Sequence, residues 1–229
     1  MAISYRLLLG AGLLSGLAAC SDSPPIERRF TSAQLAWQPY QVSQVLRFGQ
    51  ARATKVRTFR VLEVTDELLE YSQGGSAPVY LGRPTKYKLQ HIIAAAQRTD
   101  TLRYVQTGAS TPTHPDSVLL GSTGLLDWGV DAVTGDVYAA VGWDGGFYHA
   151  LPLRELYQGL ASVDTTQHLL PTVQIGGVAY DSVFRLTQSA AAISSGAVPR
   201  NKSARLLYYA KGYGVVGFVE GNTLWYRLP

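Results

Sequence analysis

The amino-acid sequence predicts a mainly β fold: a single antiparallel sheet, strongly curved or closed like a barrel or sandwich, with one or two short helices. The chain has 23 glycines and 14 tyrosines among 229 residues, a composition typical of aromatic-rich strands joined by many turns. Short β-branched and aromatic runs alternate with turn residues and indicate about 10–12 strands. Asp144-Gly145 and Gly221-Asn222 stand between such runs, as in tight hairpins.

This alternation divides most of the chain into strands and loops. The strand-type runs cover residues 41–50, 56–71, 87–96, 118–120, 125–130, 137–143, 147–151, 173–175, 178–186, 204–210, 215–220 and 223–228. Ala94, Ala95 and Ala96 are compatible with either helix or strand. Residues 107–117 are predicted to form a loop, and residues 188–203 a loop or a poorly formed helix.

Two short segments have helical character. Residues 31–38 begin with Thr31 and Ser32, either of which can cap a helix N-terminus. Residues 153–160 are long enough for two turns, at about 3.6 residues per turn.

The N-terminus has the pattern of an export signal. Arg6 is the only charged residue before Cys20, and it precedes a leucine-rich apolar run that ends at Leu17. A membrane-spanning helix needs about 20 apolar residues, so this run is too short to cross a bilayer comfortably. It fits the apolar region of a secretory signal, which has about 7–15 residues.

The signal ends in Leu17-Ala18-Ala19-Cys20, which resembles the lipobox of bacterial lipoproteins. This resemblance implies cleavage before Cys20 and acylation of its thiol, with anchoring strengthened by about 0.8 kcal/mol per buried methylene. Cys20 is also the single cysteine of the chain, and lipidation explains an odd cysteine in an exported protein. In bacterial lipoproteins, an aspartate directly after the lipidated cysteine favours retention in the inner membrane. Ser21 holds that position here and aspartate comes one place later, at Asp22. The resemblance therefore implies the outer membrane, on its periplasmic or surface face, rather than the inner membrane.

These features predict three regions. Residues 1–19 form the signal peptide, residues 20–34 a lipidated tether rich in serine and proline, and residues 35–229 one β-rich envelope domain. The predicted partners are the membrane, through Cys20, and an envelope protein, glycan or lipid ligand. The formal charge of +4 is too small to indicate nucleic-acid binding.

A second pattern lies near the C-terminus, where Tyr209-Ala210 is followed by Gly212, Gly214 and Val215. Together with Trp37-x-x-Tyr40 and the Gly176-Gly177 hairpin, it resembles the late strand pair of uncharacterised bacterial lipoproteins. The resemblance implies an envelope location and a β fold, and it carries no established activity. From the residues alone, Gly212 and Gly214 are expected to allow a bulge or a close strand approach.

Charge is unevenly distributed in the first part of the domain. Basic residues dominate positions 28–60, and Glu63, Asp66, Glu67 and Glu70 follow. Cross-strand ion pairing between the two stretches is the favoured interpretation, and a basic surface facing anionic lipid or lipopolysaccharide is the alternative.

The sequence contains no recognisable catalytic motif, and no catalytic, cofactor-binding or metal-binding residue is predicted. A Gly-x-Ser-x-Gly elbow, a phosphate-binding loop and an H-x-x-x-H pair are all missing. Two sets of residues are weak candidates, and an ordinary turn role is the alternative for each. The first is the pair His114 and Asp116, as a base with its orienting group or as metal ligands; the second is Asp127, Asp131 and Asp136 as calcium ligands.

A third candidate is the aromatic-rich hairpin that contains Trp143, Phe147, Tyr148 and His149. It is expected to be either core or a face that binds sugar or lipid. The leading functional hypothesis is a membrane-tethered, non-catalytic binding or structural lipoprotein of the cell envelope. The alternatives are an apolar-ligand carrier with a curved-sheet cavity and an envelope-polymer hydrolase using dispersed carboxylates such as Asp100 and Asp127.

Overall fold

A computed structural model describes residues 23–74, 84–99, 103–104, 117–118, 123–144, 147–160, 164–188 and 204–229. These residues form fourteen strands and two short helices. The strands are β1 (Ile26–Arg28), β2 (Val45–Gln50), β3 (Ala53–Gln73), β4 (Thr85–Arg98), β5 (Arg103–Tyr104), β6 (Ser117–Val118), β7 (Thr123–Val130), β8 (Val137–Trp143), β9 (Phe147–Leu151), β10 (Gln167–Ile175), β11 (Val178–Thr187), β12 (Ala204–Ala210), β13 (Gly214–Glu220) and β14 (Thr223–Arg227).

Twelve of these strands form one sheet, which confirms the mainly β prediction. Its order is β10-β11-β12-β13-β14-β2-β3-β4-β7-β8-β9, and all of these neighbours are antiparallel. Strand β1 lies outside this order and pairs in parallel with β4. Strands β5 and β6 form a separate two-stranded sheet.

The sheet curves until its first and last strands, β10 and β9, lie side by side. Side chains join the two strands there: the Gln167 amide nitrogen donates to the Ala150 carbonyl oxygen at 3.1 Å. The sheet is therefore a nearly closed barrel, and we call the line where β9 and β10 meet the seam.

Aromatic side chains fill the barrel interior. Phe48, Phe59 and Phe218 surround Trp143 with ring centroids 4.4–5.2 Å from the indole. Each of these rings comes from a different strand and is at most 2% exposed. Because edge-to-face and tilted ring contacts of this kind hold strands at fixed separations, the cluster makes the interior a packed core.

The two helices are α1 (Ser32–Leu35) and α2 (Leu153–Gln158), which confirms both helical predictions in shortened form. Thr31 is the N-cap of α1, as one of the two expected alternatives: its hydroxyl accepts from the Gln34 amide, and the Gln34 side chain accepts from the Thr31 amide. Within the described residues, no helix combines the length and the apolar character needed to cross a membrane.

Helix α1 closes one end of the barrel because Trp37, just after it, enters the core. The Tyr209 hydroxyl donates to the Trp37 carbonyl oxygen at 2.6 Å, and the Trp37 indole donates to the Tyr157 hydroxyl at 3.1 Å. The Tyr40 hydroxyl accepts from the Val215 amide at 3.1 Å. The Trp-x-x-Tyr pattern therefore attaches the N-terminal segment to both β12 and β13.

Glycine is required at position 214 to make room for Tyr40. Gly214 has a φ of +74°, and a Cβ there would lie 2.6 Å from the Tyr40 hydroxyl oxygen. The β12–β13 register also shifts between Tyr208 and Tyr209, so the expected irregularity is present.

Two buried ion pairs lie among the interior side chains. Arg57 contacts Glu220 at 2.9 Å, and Arg98 contacts Asp144 at 3.0 Å. The Arg57 guanidinium also lies over the Trp225 ring, 4.6 Å from its centroid. The charge pattern predicted ion pairs between the basic and the acidic stretch. Neither of these two buried pairs joins the two stretches. The described acidic stretch uses a basic partner further along the chain, with Glu70 3.6 Å from Lys88.

Several element boundaries differ from the sequence prediction. Strand β3 extends over 21 residues and is longer at both ends than the predicted run. The ambiguous alanines lie in β4, where the β7 and β3 ladders hold them as strand. Ser117 begins β6 rather than ending a loop. The rest of the 107–117 loop and most of the 188–203 segment fall outside the described residues.

Truncating Trp37 tests whether its insertion stabilises the barrel. Trp37→Ala removes a side chain that is 2% exposed and should lower the free energy of unfolding by about 3–5 kcal/mol. Leu35→Ala, at the end of α1 two residues before Trp37 and 37% exposed, should change it by less than about 0.5 kcal/mol. Urea unfolding of the chain from Ser21 onward measures both, and equal effects would contradict the assigned role of Trp37.

Alkaline pH should weaken the same end of the barrel. Burial raises the pKa of Tyr40 to about 12 from 10.0, so the folded state keeps a proton that the unfolded state loses first. This contribution to the free energy of unfolding is complete below pH 10 and is lost as the pH rises toward 12. The loss amounts to about 1.4 kcal/mol at pH 11. Burial also raises the pKa of Tyr209, which adds in the same direction.

Urea unfolding midpoints between pH 8 and pH 11 measure this loss. Tyr40→Phe should be less stable at pH 8, because the Val215 amide loses its acceptor, yet show a shallower decline. A decline that is as steep in the variant as in the wild type would contradict this assignment.

Candidate functional site

A polar pocket of about 430 Å³ opens at the seam. This volume lies within the usual range of about 300–1,000 Å³ for small-ligand sites. Its walls come from β9, from the residues just before β10 and its first residue, and from the residue after β11. The lining residues are Tyr148, His149, Ala150, Asp164, Thr166, Gln167 and Gln188.

The pleat of β9 presents two kinds of side chain to the seam pocket. His149 shares a face with Phe147, and their rings stack at 6.1 Å. Tyr148 points to the opposite face and is 66% exposed, the largest exposed fraction among the described large apolar residues. Because β9 is the last strand of the sheet, Tyr148 and His149 can both line the seam pocket although they lie on opposite faces of the strand.

A tight turn before β10 supplies the facing groups. The Asp164 carboxylate accepts from the Thr166 amide at 2.8 Å and from the Thr166 hydroxyl at 2.6 Å. The Nε2 atom of His149 lies 2.8 Å from the same hydroxyl oxygen. A continuous hydrogen-bonded chain therefore runs from Asp164 through Thr166 to His149 across the seam.

The charge on Asp164 determines which atom donates the proton in each of these hydrogen bonds. We call this arrangement the proton order. Hydrogen bonds from Thr166 lower the pKa of the Asp164 carboxyl, so the group is ionised and can only accept. The Thr166 hydroxyl proton is therefore directed at Asp164, and the Thr166 oxygen accepts from Nε2–H of His149. The imidazole thus does not face a hydroxyl proton that it could remove as a base.

The second ring nitrogen of His149 fits this assignment. Its Nδ1 atom lies 3.2 Å from the Gln167 amide nitrogen, which can donate to it, and 3.0 Å from the Ala150 carbonyl oxygen. A neutral imidazole accepts from Gln167, and a protonated one donates to Ala150. In either state Nε2 carries a hydrogen, so the bond to Thr166 persists.

The aromatic-rich hairpin divides between core and site. Trp143 and Phe147 are 0% and 3% exposed and belong to the interior cluster. Tyr148 and His149 line the seam pocket. Core and binding face, the two alternatives given for this hairpin, therefore each apply to half of it. Strand alternation sends Tyr148 to the face opposite Phe147, whereas His149 shares the face of Phe147 and reaches the pocket at the seam.

Structural contacts account for two of the three aspartates considered as calcium ligands. Asp131 accepts from the Val133 and Thr134 amides, and these bonds, with that from the Thr134 hydroxyl, lower the pKa of its carboxyl. Asp136 pairs with Arg154 at 3.2 Å and accepts from Gln158. Among the described residues, no group of three His, Cys, Asp or Glu side chains is placed to hold a metal ion.

The third aspartate, Asp127, lies on the outer barrel wall. Its carboxylate contacts Nε2 of His91 at 2.8 Å, and its side chain is 51% exposed. The structure places it away from the seam pocket, whose lining does not include it. Cys20, Asp100, His114 and Asp116 fall outside the described residues.

Asp164, Thr166 and Gln167 were not among the candidate residues predicted from the sequence. An Asp-x-Thr turn is common in loops, where its side chains bond to the local backbone, so its presence indicated nothing unusual. Thr166 is 17 residues from His149, and only closure of the barrel brings the two side chains together.

Comparison of the chain with protein-family models, with curated proteins and with solved structures gave no match in any of the three.

Proposed function

We propose that this chain is a membrane-tethered, non-catalytic binding lipoprotein of the bacterial cell envelope, and that the seam pocket is its ligand site. The proton order along Asp164, Thr166 and His149 is the observation that carries the proposal. It directs the Thr166 hydroxyl proton at the ionised carboxylate of Asp164. Because the hydrogen bonds from Thr166 lower the pKa of this carboxyl, it is a weak base, and the arrangement favours hydrogen bonding over activation of the hydroxyl as a nucleophile.

The chemistry of the pocket favours a hydroxyl-rich ligand such as an envelope glycan. Tyr148 offers an exposed ring on which the C–H face of a sugar can stack, since aromatic faces carry partial negative charge. The carboxylate of Asp164 and the amides of Gln167 and Gln188 supply hydrogen-bond acceptors and donors around it. A few polar groups beside one aromatic surface are a common arrangement in small-ligand sites.

The described interior favours this proposal over an apolar-ligand carrier. Phe48, Phe59, Trp143 and Phe218 occupy the centre of the barrel in mutual contact, in the position where a carrier needs a cavity. The proposed ligand therefore binds at the wall of the barrel. Tethering is supported by the Leu17–Cys20 motif and by the apolar run that precedes it.

Truncating Tyr148 tests the ligand site. Tyr148→Ala should weaken binding of a soluble peptidoglycan disaccharide at least fivefold, because an aromatic contact contributes about 0.5–1.5 kcal/mol beyond its buried area. Tyr213→Ala removes a similarly exposed tyrosine that does not line the pocket and should leave the dissociation constant unchanged. Isothermal titration calorimetry measures both. Equal affinities for both variants, or no binding of the disaccharide by the wild type, would overturn the glycan site.

Changing Cys20 tests the tether. Cys20→Ala should prevent lipid attachment and signal cleavage, leaving a precursor held weakly by its signal, because no other thiol is present. A chain starting at Ser21 behind an ordinary secretory signal should be soluble in the periplasm. Membrane fractionation and intact-mass measurement decide the matter. Sedimentation of the Ser21 chain with membranes in high salt, or a mature wild-type chain that begins elsewhere than Cys20, would contradict the tether.

A further inference from the structure

Part of the β3–β4 hairpin extends beyond the barrel wall. Counted from the start of β4, His91 is the first residue that pairs with β7, and its partner is Gly129. Farther out, residues 67–73 pair with residues 85–91, and β1 lines the other edge of β4. We call these two segments together with β1 the ribbon. At about 3.3 Å per residue, each long segment extends about 20–25 Å.

One face of the ribbon is apolar and aromatic. Tyr71 lies opposite Tyr87 with their rings 6.4 Å apart, and Leu69 lies opposite Leu89. Ile26 of β1 is the register partner of Tyr87 and therefore shares this face. Ile26, Leu69 and Tyr71 are 46%, 42% and 48% exposed, although most apolar residues of the central strands are buried.

The chain enters the protein from the far end of the ribbon. Strand β1 runs parallel to β4, which runs from the hairpin end toward the barrel, so Ile26 lies farther out than Arg28. Phe30 follows and packs on Trp128 in the core, with ring centroids 4.4 Å apart. Residues that precede Ile26 are therefore connected to the outer end of the ribbon.

Chain length limits the distance from this end to the membrane. Ile26 is six positions after Cys20 in the sequence, and a fully extended segment of that length spans at most about 20–22 Å. A lipid on Cys20 therefore keeps the outer end of the ribbon within one ribbon length of the bilayer surface.

The charged side chains of the ribbon leave the outer part of its apolar face uncharged. Strand alternation places Glu27, Glu70, Lys86 and Lys88 on the opposite face, where Lys88 lies 3.6 Å from Glu70. Arg28, the register partner of Leu89, lies over the Tyr87 ring and donates to the Ala132 carbonyl oxygen. Tyrosine is typical of the membrane–water interface, where its ring sits near the acyl region and its hydroxyl remains hydrated.

We propose that the apolar face of the ribbon contacts the phospholipid headgroup region and so fixes the orientation of the barrel relative to the membrane. This inference rests on the proposed lipidation of Cys20. The lipid supplies the attachment, and the ribbon face limits the angles that the tethered barrel can adopt.

Site-directed spin labelling of the lipidated full chain tests this contact. Because Cys20 is the single cysteine and its thiol is used by the lipid, Leu69→Cys introduces one reactive thiol. Leu224→Cys is the matched control, since Leu224 is 40% exposed and follows the β13–β14 turn, at the opposite end of the barrel from the ribbon. Both proteins are reconstituted in phosphatidylethanolamine–phosphatidylglycerol vesicles, and collision rates with oxygen and with a water-soluble nickel chelate are measured.

The label at position 69 should show an oxygen-to-nickel collision ratio at least threefold higher than the label at position 224. Equal ratios in a protein whose intact mass shows a lipid on Cys20 would overturn the ribbon contact and leave the proposed tether standing. Strong dipolar broadening at position 69 would identify a second copy of the chain as the occupant and would also overturn it. An intact mass without lipid, with two spins per chain, would instead overturn the tether and the inference that rests on it.

Discussion

The rest of the structure depends on one contact, in which Trp37 of the N-terminal segment packs into the barrel. Its indole packs on Phe184 and Tyr209, and its carbonyl oxygen accepts from the Tyr209 hydroxyl. A curved sheet that did not cover this end would expose its aromatic interior to water, at about 25 cal/mol for each Å² of apolar surface. One short segment therefore covers this end of the barrel and determines where the chain enters.

The packed interior moves any binding function to the barrel wall. Large aromatic rings already contact one another at the centre, and two buried ion pairs, Arg57–Glu220 and Arg98–Asp144, lie among them. Removing one partner of such a pair leaves a buried charge uncompensated, which typically costs about 3–5 kcal/mol. Such an interior resists change, whereas the seam combines an exposed strand edge with polar side chains that are already oriented.

The seam and the ribbon have different proposed roles, ligand binding for the seam and membrane contact for the ribbon. The seam lies between β9 and β10, and the ribbon continues β3 and β4 past the end of the barrel that receives α1. Gln90 links the ribbon to the N-terminal segment, because its side chain accepts from the Phe30 amide at 2.9 Å and donates to Asp66 at 2.7 Å. A barrel held at the ribbon in this way keeps the end of β8 and the start of β9, next to the seam, on the side away from the tether.

The sequence by itself determined the β class, the two helix starts and the turn at Gly221-Asn222, because backbone preferences and hydrophobic periodicity are local properties. It also determined the resemblance of Leu17–Cys20 to a lipobox. Only the tertiary structure decided which strands adjoin, since β14 pairs with β2 across most of the chain, Tyr226 opposite Gly49. The same long-range closure brought His149 to Thr166. Local patterns specify which side chains share a face, whereas the partners that those faces meet depend on the curvature and register of the whole sheet.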